Sequence, residues 1–331
     1  MAIPIFPSLH RSDVLVGILF AAKAVCQVLA SPAILRCVDR GAKRTLLGGL
    51  LLQLLSTCTF AGARHYAVWL LARGLSGAAS AAIISAGRAQ LVQSYPDREQ
   101  RAIAMGLATT GILTGVCLGP LLGGVLFEAS PSAPFLALAA LQVLLLGLGG
   151  LCLPAALGGG GEQDPRDEVA VTGLLRRGEV LRPLGALVLA NAAISSLNST
   201  VARHLEAAFG FSPSQVGVVF LLSSVPSCLA SAVAGPIGNR VGLARLMQVG
   251  LVCQGLFTML GPKTWLPLQL LSLAGLGVGM GIIDGGAPPL LGEIAEDHFG
   301  GTGKIFVLSN VAVQFGFFLG PVVGGTIAAV G

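Results

Sequence analysis

Hydrophobic and polar positions along the chain alternate on a long scale: extended apolar stretches are separated by short breaks where charge, proline and glycine cluster. Ten such stretches fall near residues 14–37, 45–62, 66–93, 102–127, 132–154, 183–207, 215–238, 244–261, 265–291 and 303–330. A helix needs about 20 apolar residues to cross a bilayer, so each stretch reads as one span. Several are longer, which permits tilt or a kink at Pro32, Pro120, Pro226 or Pro288. The pattern predicts an all-α polytopic membrane protein of about ten transmembrane helices. One long hydrophilic stretch interrupts it. Residues 155–182 begin LGGGGEQDPRDE after Pro154 and end VTGLLRRGEVLR. Their first part reads as a flexible linker, and their second as a short basic helix on the membrane surface with Leu174, Leu175, Val180 and Leu181 toward lipid. The expected organisation is an N-terminal helical bundle over 1–154, a cytoplasmic linker over 155–182 and a C-terminal helical bundle over 183–331.

Composition sharpens this picture. Of 331 residues, 54% are hydrophobic and 11% charged, against about 25% charged in a soluble protein, and mean hydropathy is +0.83. Lipid must therefore be the solvent. The 47 glycines point to close helix packing or bent helices. The charges sort by loop. One set of breaks carries Arg36, Arg40, Lys43, Arg44, Arg98, Arg101, Arg166, Arg176, Arg177, Arg182, Arg240, Arg245 and Lys304; the alternate set carries only Arg11, Arg64 and Lys263. Basic short loops stay cytoplasmic, so the N-terminus and the 62–66 and 261–265 turns are expected on the lumenal or outer side. The net charge of +5 is then a topology signal, with no basic, aromatic-interleaved stripe to suggest nucleic acid. The first thirteen residues have neither a basic start nor a long apolar run and do not read as a signal peptide. Seven cysteines without a CxxC pair read as packing residues, and four dispersed histidines suggest no metal site. No catalytic motif is present. The expectation is a membrane protein that is not an enzyme and needs no cofactor.

Two patterns recur about 200 residues apart. VDRGAKR at 38–44 is answered by GPIGNRVGLAR at 235–245, and GVCLGPLLGG at 115–124 by GFFLGPVVGG at 316–325. The offset from Arg40 to Arg240 is nearly that from Pro120 to Pro321, so the chain reads as two homologous, pseudo-symmetric halves, a build common in transporters. Gly235, Asn239, Arg240, Gly242 and Arg245 resemble the loop motif after the second helix of each half in the major facilitator superfamily. Asp39, Arg40, Lys43 and Arg44 form its other copy, with Leu35 and Ala42 where glycines are usual. Gly115, Gly119, Pro120, Gly123 and Gly124 resemble the fifth-helix motif of that superfamily's proton-coupled antiporters. Closer still is the resemblance to the vesicular amine transporter family, carried by GILFAAKAVCQ around Lys23, LLARGLSG around Arg73, YPDREQR at 95–101, LGPLLGGVLFE, APFLALAAL, and GMGIIDGGAPP around Asp284. That resemblance implies antiport of a small organic cation, a monoamine or acetylcholine, against protons in an acidic vesicle membrane. Set against the family's twelve helices, the first and last are expected to be lacking here.

Few ionisable residues lie deep in the apolar stretches: Lys23, Arg73 and Asp284. Charge at that depth is costly and usually faces a bundle interior or a wet cavity. Asp284 is the one acid well inside a span, preceded by Gly275, Gly277, Gly279 and Gly281 and followed by Pro288 and Pro289. A carboxyl can be balanced by a proton or by an ammonium, so one group could exchange the two; alternatively Asp284 only pairs with Lys23 or Arg73. The glycine run itself reads as close packing of a bent helix. The resemblance places a family lysine at Lys23, and puts Asn310 and Asn198 where that family has an eleventh-helix aspartate and a seventh-helix glutamate. Lys23 then gives up its proton or turns to Asp284. Arg73, beside Gly74 and Gly77, reads as a pocket or conformational residue, while Arg88 and Arg203 snorkel. The Asn198-Ser199-Thr200 sequon lies in a span and is expected to be unoccupied. Substrate and proton candidates are thus Asp284, Lys23, Arg73, Asn198 and Asn310. Gating candidates are Asp39, Arg40, Gly119, Pro120, Asn239, Arg240, Gly320 and Pro321. Two other readings stay open: a drug or metabolite antiporter with a non-amine substrate, and a truncated membrane protein that does not transport.

Overall fold

The computed structural model describes residues 13–63, 65–95, 97–153, 177–260, 265–299 and 303–330. All ten expected spans are helices: α1 (Asp13–Arg40), α2 (Ala42–Gly62), α3 (Tyr66–Ser94), α4 (Arg98–Ala129), α5 (Ala133–Cys152), α6 (Gly178–Phe209), α7 (Pro213–Val241), α8 (Leu243–Leu260), α9 (Leu266–Phe299) and α10 (Gly303–Val330). Among the described residues, nine helices are long and apolar enough to cross a membrane. No strand occurs among them.

Local chemistry sets the helix ends. At the start of α4 the Asp97 carboxylate accepts a hydrogen bond from the Gln100 backbone N–H. At α7, Ser212 and Gln215 form a reciprocal capping box. Gly210 ends α6 at φ 65, a left-handed conformation that favours glycine. The 155–182 linker lies outside the described residues as far as residue 176. Beyond that it is corrected: Gly178 to Arg182 are helical and continuous with α6. Val180, expected to face lipid, is fully buried against a cluster with Leu184, Leu187 and Met247. Leu181 is exposed.

The described residues form two compact units. The first holds residues between 18 and 115 and between 125 and 153; the second holds 13–17, 116–124 and everything from 177 onward. Within the first, α2 meets α3 where a side chain at Gly49 would collide with Ala82 and Ile83. Close by, Ser56 Oγ donates to the Ala72 carbonyl at 2.8 Å. Trp69 is fully buried, with its indole N–H on the Ala63 carbonyl at 3.3 Å, and Phe60 stacks on Phe135 at 5.8 Å between centroids. Lys43, at the start of α2, donates to the carbonyls of Gly150, at 3.1 Å, and Leu153. A basic side chain at a helix C-terminus satisfies carbonyls that have no intrahelical partner, so Lys43 caps α5. No residue of α5 is buried.

The second unit repeats the arrangement about 200 residues later. Gly250 of α8 meets Ile282 and Ile283 of α9 as Gly49 meets Ile83, and Ser272 Oγ donates to the Phe257 carbonyl at 2.6 Å. The glycine run of α9 is a packing face, as expected. A Cβ at Gly277 would run into the Ser223 carbonyl, one at Gly281 into that of Ser227, and one at Gly275 into the Phe257 ring. These absent side chains let α9 lie backbone to backbone on α7. In the first unit Gly77 meets the Lys23 carbonyl in the same manner, so residues 23 and 77 correspond to 223 and 277.

Overpacking at such a crossing costs about 1–3 kcal/mol. Gly281→Val and Gly277→Leu are therefore expected to lower the midpoint of thermal unfolding in detergent by several degrees. Gly147→Ala, at an exposed site with nothing within 4 Å, is expected to leave it unchanged. Equal midpoints for all three variants would contradict this packing.

Candidate functional site

Asp284 is positioned by the packing of α9. Gly281 and Gly285 press one side of the helix onto α7, where a Cβ at Gly285 would come within 2.5 Å of the Ser231 carbonyl. On another side, Ile283 and Ala287 are fully buried in the cluster that includes Val180 and Leu184 of α6 and Met247 of α8. Asp284 is left partly buried between these contacts. Asn191 of α6 reaches it: Nδ2 lies 3.5 Å from Asp284 Oδ1 and donates at 2.9 Å to the Leu187 carbonyl. Asn191 is 1% exposed, and its Oδ1 is buried without a hydrogen-bond partner among the described residues. An acid and an unfilled amide acceptor thus stand side by side, a pair suited to an N–H or O–H donor.

Neighbouring polar contacts hold α6 in place. Gln254 of α8 is 3% exposed and donates at 2.8 Å to the Ala190 carbonyl. Ser195 Oγ lies 3.3 Å from the Gly316 carbonyl of α10. Gly320 packs on Ser195 and on the Ala192 carbonyl. Sequence reasoning missed Asn191, Gln254 and Ser195 because it weighed deep charges and only those amides that the family resemblance picked out; other polar residues inside apolar stretches were the available signal.

The first unit holds the deep cations. Lys23 is partly buried on α1, where α3 crosses with Gly77 against the Lys23 carbonyl and Gly74 against Cys26 Sγ. Arg73 of α3 lies within electrostatic reach of Lys23, with its guanidinium carbon 5.7 Å from the centre of the Phe60 ring, a cation–π geometry. Gln27, one turn beyond Lys23, is 2% exposed. The sequence has no acid between Asp13 and Asp39 or between Asp39 and Asp97, so the spans of α1 to α3 carry positive charge only. Lys23 and Arg73 belong to the first unit and Asp284 to the second. Asn310 is partly buried on α10. The side chains of Asn198 and Asn239 lie outside the described residues.

The gating candidates divide. Asp39 and Arg40 are exposed at the end of α1, as is Arg240 near the end of α7. Between α7 and α8, Gly242 takes φ 94, which explains a glycine in that motif. In the first copy the joint is Gly41, and Ala42 begins α2 almost fully buried. The two Gly-Pro pairs also differ. Gly320 and Pro321 are buried, whereas Gly119 is exposed with nothing within 4 Å. What the copies share is the proline carbonyl. Gly217 of α7 would put a Cβ 2.5 Å from the Pro120 carbonyl, and Gly17 of α1 would put one against that of Pro321.

Comparison with known proteins accounts for this duplicated design. The Major Facilitator Superfamily profile matches residues 1–200 and, a second time, 184–331. The chain belongs to the major facilitator superfamily. It is accordingly a multi-pass integral membrane protein. It is 32% identical over 326 residues to the synaptic vesicular amine transporter of Bos taurus, covering 97% of this chain and 62% of that one. It is 29% identical to the vesicular acetylcholine transporter of Mus musculus, covering 98% and 62%. The chain thus spans about three fifths of the length of these relatives. Among solved structures, the fold matches a bacterial homolog of the human lysosomal transporter Spinster, in an inward-facing, unoccupied conformation, with a TM-score of 0.81. Identity there is 17%, over 99% of this chain and 78% of that one. The nucleoside transporter NupG matches with a TM-score of 0.71 and 15% identity, over 98% and 85%.

The Asn191–Asp284 contact should be visible as thermodynamic coupling. Asn191→Leu and Asp284→Asn are expected to be non-additive in thermal stability, with a coupling of about 1 kcal/mol. Strictly additive effects would separate the two side chains.

Proposed function

We propose that this major facilitator protein is a secondary active transporter that exchanges protons for a small organic cation by alternating access, in a membrane bounding an acidic vesicle. Asp284 carries the reading. It is an acid inside an apolar helix, held by the amide of a buried asparagine and set among glycine crossings that fix its place. An intramembrane acid of this kind ordinarily serves an ion or substrate path. Its charge can be balanced by one proton or by one ammonium, and that competition is antiport chemistry. The likeness to vesicular amine and acetylcholine transporters supports the same substrate class. In this reading Asp39, Arg40, Asn239 and Arg240 govern the cytoplasmic side, while α4 and α10 bend near Pro120 and Pro321 as access alternates.

A second reading has a specific observation behind it. Asn198 and Asn310 stand where the resemblance expects acids, and an amide can hydrogen-bond a substrate without neutralising a cation. A drug or metabolite antiporter with a non-amine substrate would suit that change.

Proteoliposomes acidified inside decide between them. Uptake of a labelled monoamine or choline ester is expected to follow the pH difference, and Asp284→Asn is expected to reduce gradient-driven uptake by roughly ten-fold or more, equivalent to at least about 1.4 kcal/mol. Uptake in the Asp284→Asn variant with an unchanged pH dependence would remove Asp284 from the coupling role. Uptake confined to neutral or anionic compounds in a wider panel would favour the second reading.

A further inference from the structure

We propose that Cys117 and Cys228 form a reversible disulfide that ties α4 to α7. All seven cysteines are thiols, yet this pair stands apart, because Cys117 Sγ and Cys228 Sγ are 3.3 Å apart. Elsewhere, Cys253 Sγ points to the Gly275 carbonyl at 3.8 Å, Cys26 lies against Gly74, and Cys37, Cys58 and Cys152 are exposed. A disulfide needs its sulfurs about 2.05 Å apart, so the two sulfurs must close by little more than an ångström.

The two helices also touch through their backbones. Three residues beyond Cys117, the Pro120 carbonyl meets Gly217 of α7, and one turn further Gly124 meets the carbonyl of Pro213. These contacts hold two stretches of α4 and α7 together, and the Cys117–Cys228 approach is a further contact between the same two helices. Val116–Gly124 is the part of α4 that belongs to the second unit, while the helix on either side of it belongs to the first. The link would therefore fix a segment of α4 that packs with α7, beside the proline where the helix is proposed to bend. That consequence rests on the proposed function; formation of the bond does not.

The chemistry balances with a peroxide as oxidant, a small neutral molecule able to enter the bilayer. One sulfur, having given up its proton, attacks a peroxide oxygen; the O–O bond breaks, one water leaves and a sulfenic acid remains. The second sulfur attacks that sulfur, the S–O bond breaks and a second water leaves. Two thiols together lose two electrons and two protons, and the peroxide is reduced to two waters. A small dithiol reverses the reaction by exchange and is itself oxidised.

The test uses the full chain in proteoliposomes. Protein is exposed to hydrogen peroxide or to a lipid-soluble azo oxidant, alkylated, denatured and cut with trypsin. Arg101 and Arg166 bound a stretch with no internal Lys or Arg that contains Cys117 and Cys152, and Arg203 and Arg240 bound one that contains Cys228. In the oxidised protein the two fragments are expected to run as one band, to separate on adding dithiothreitol, and to run apart in Cys117→Ala and in Cys228→Ala. Uptake is expected to fall roughly ten-fold on oxidation and to recover on reduction, and to be insensitive to oxidant in both alanine variants. Fragments that stay apart after both oxidants overturn the proposal, as does a band that persists in Cys117→Ala, which would implicate Cys152. A linked protein whose uptake is unchanged overturns the tie's effect on α4. A reduced protein with no uptake of any compound overturns the proposed function instead, and the fragment pattern still decides the disulfide.

Discussion

In this chain the decisive constraint is the approach of one helix backbone to another at a glycine. Lipid gives apolar side chains no reason to leave it, so helix association must come from close van der Waals contact and hydrogen bonds. Here that contact is a carbonyl set against a Cα that carries no side chain: Lys23 on Gly77, Ser223 on Gly277, Ser227 on Gly281, Pro120 on Gly217 and Pro321 on Gly17. The location of Asp284, the seating of Asn191 beside it and the meeting of Cys117 with Cys228 all follow from helices brought that near.

The crossings are duplicated, but the chemistry on them is not. At corresponding positions about 200 residues apart, Lys23 is matched by Ser223, Arg73 by Leu273, and Asp284 by Ile84. One half supplies deep positive charge and the other a deep acid, on two copies of the same helix arrangement. The Gly-Pro pairs follow suit: the proline carbonyl makes the same contact in both copies, while Gly320 is packed on α6 and Gly119 stands open. Duplication preserved what holds the helices together, while the deep polar and charged side chains differ between the copies.

Much of this was legible in the sequence, because it depends on local composition. The spans follow from apolar length, the two halves from repeated motifs, and the packing role of the α9 glycines from their spacing in an apolar run. Asp284 could be singled out because an acid at that depth is costly wherever the helix faces. Other features depend on which helix lies opposite, and no local pattern encodes that. Asn191 gave no sign that its amide would meet Asp284, and Lys43 looked like one more cytoplasmic charge until α5 ended beside it. Cys117 and Cys228, 111 positions apart, read as two unrelated packing residues. The start of α6 is hidden from local pattern for the same reason: Val180 reads as lipid-facing, and its burial depends on α8 and α9.

The serine bonds between neighbouring helices show how the two halves came to differ. In the first unit the hydroxyl belongs to α2 and the carbonyl to α3, whereas in the second the hydroxyl belongs to α9 and the carbonyl to α8. Ser272 thus stands at the counterpart of Ala72, and Phe257 near that of Ser56, so the bond is retained with donor and acceptor exchanged. A chimaera that moved α2 alone into the place of α8 would bring two hydroxyls to one junction, and the reverse graft would bring none. Transplanted as a pair, α2 with α3 or α8 with α9, each junction would carry its own bond. The inheritable module of this fold is the helix pair, and its pairing chemistry is a private agreement between two neighbours.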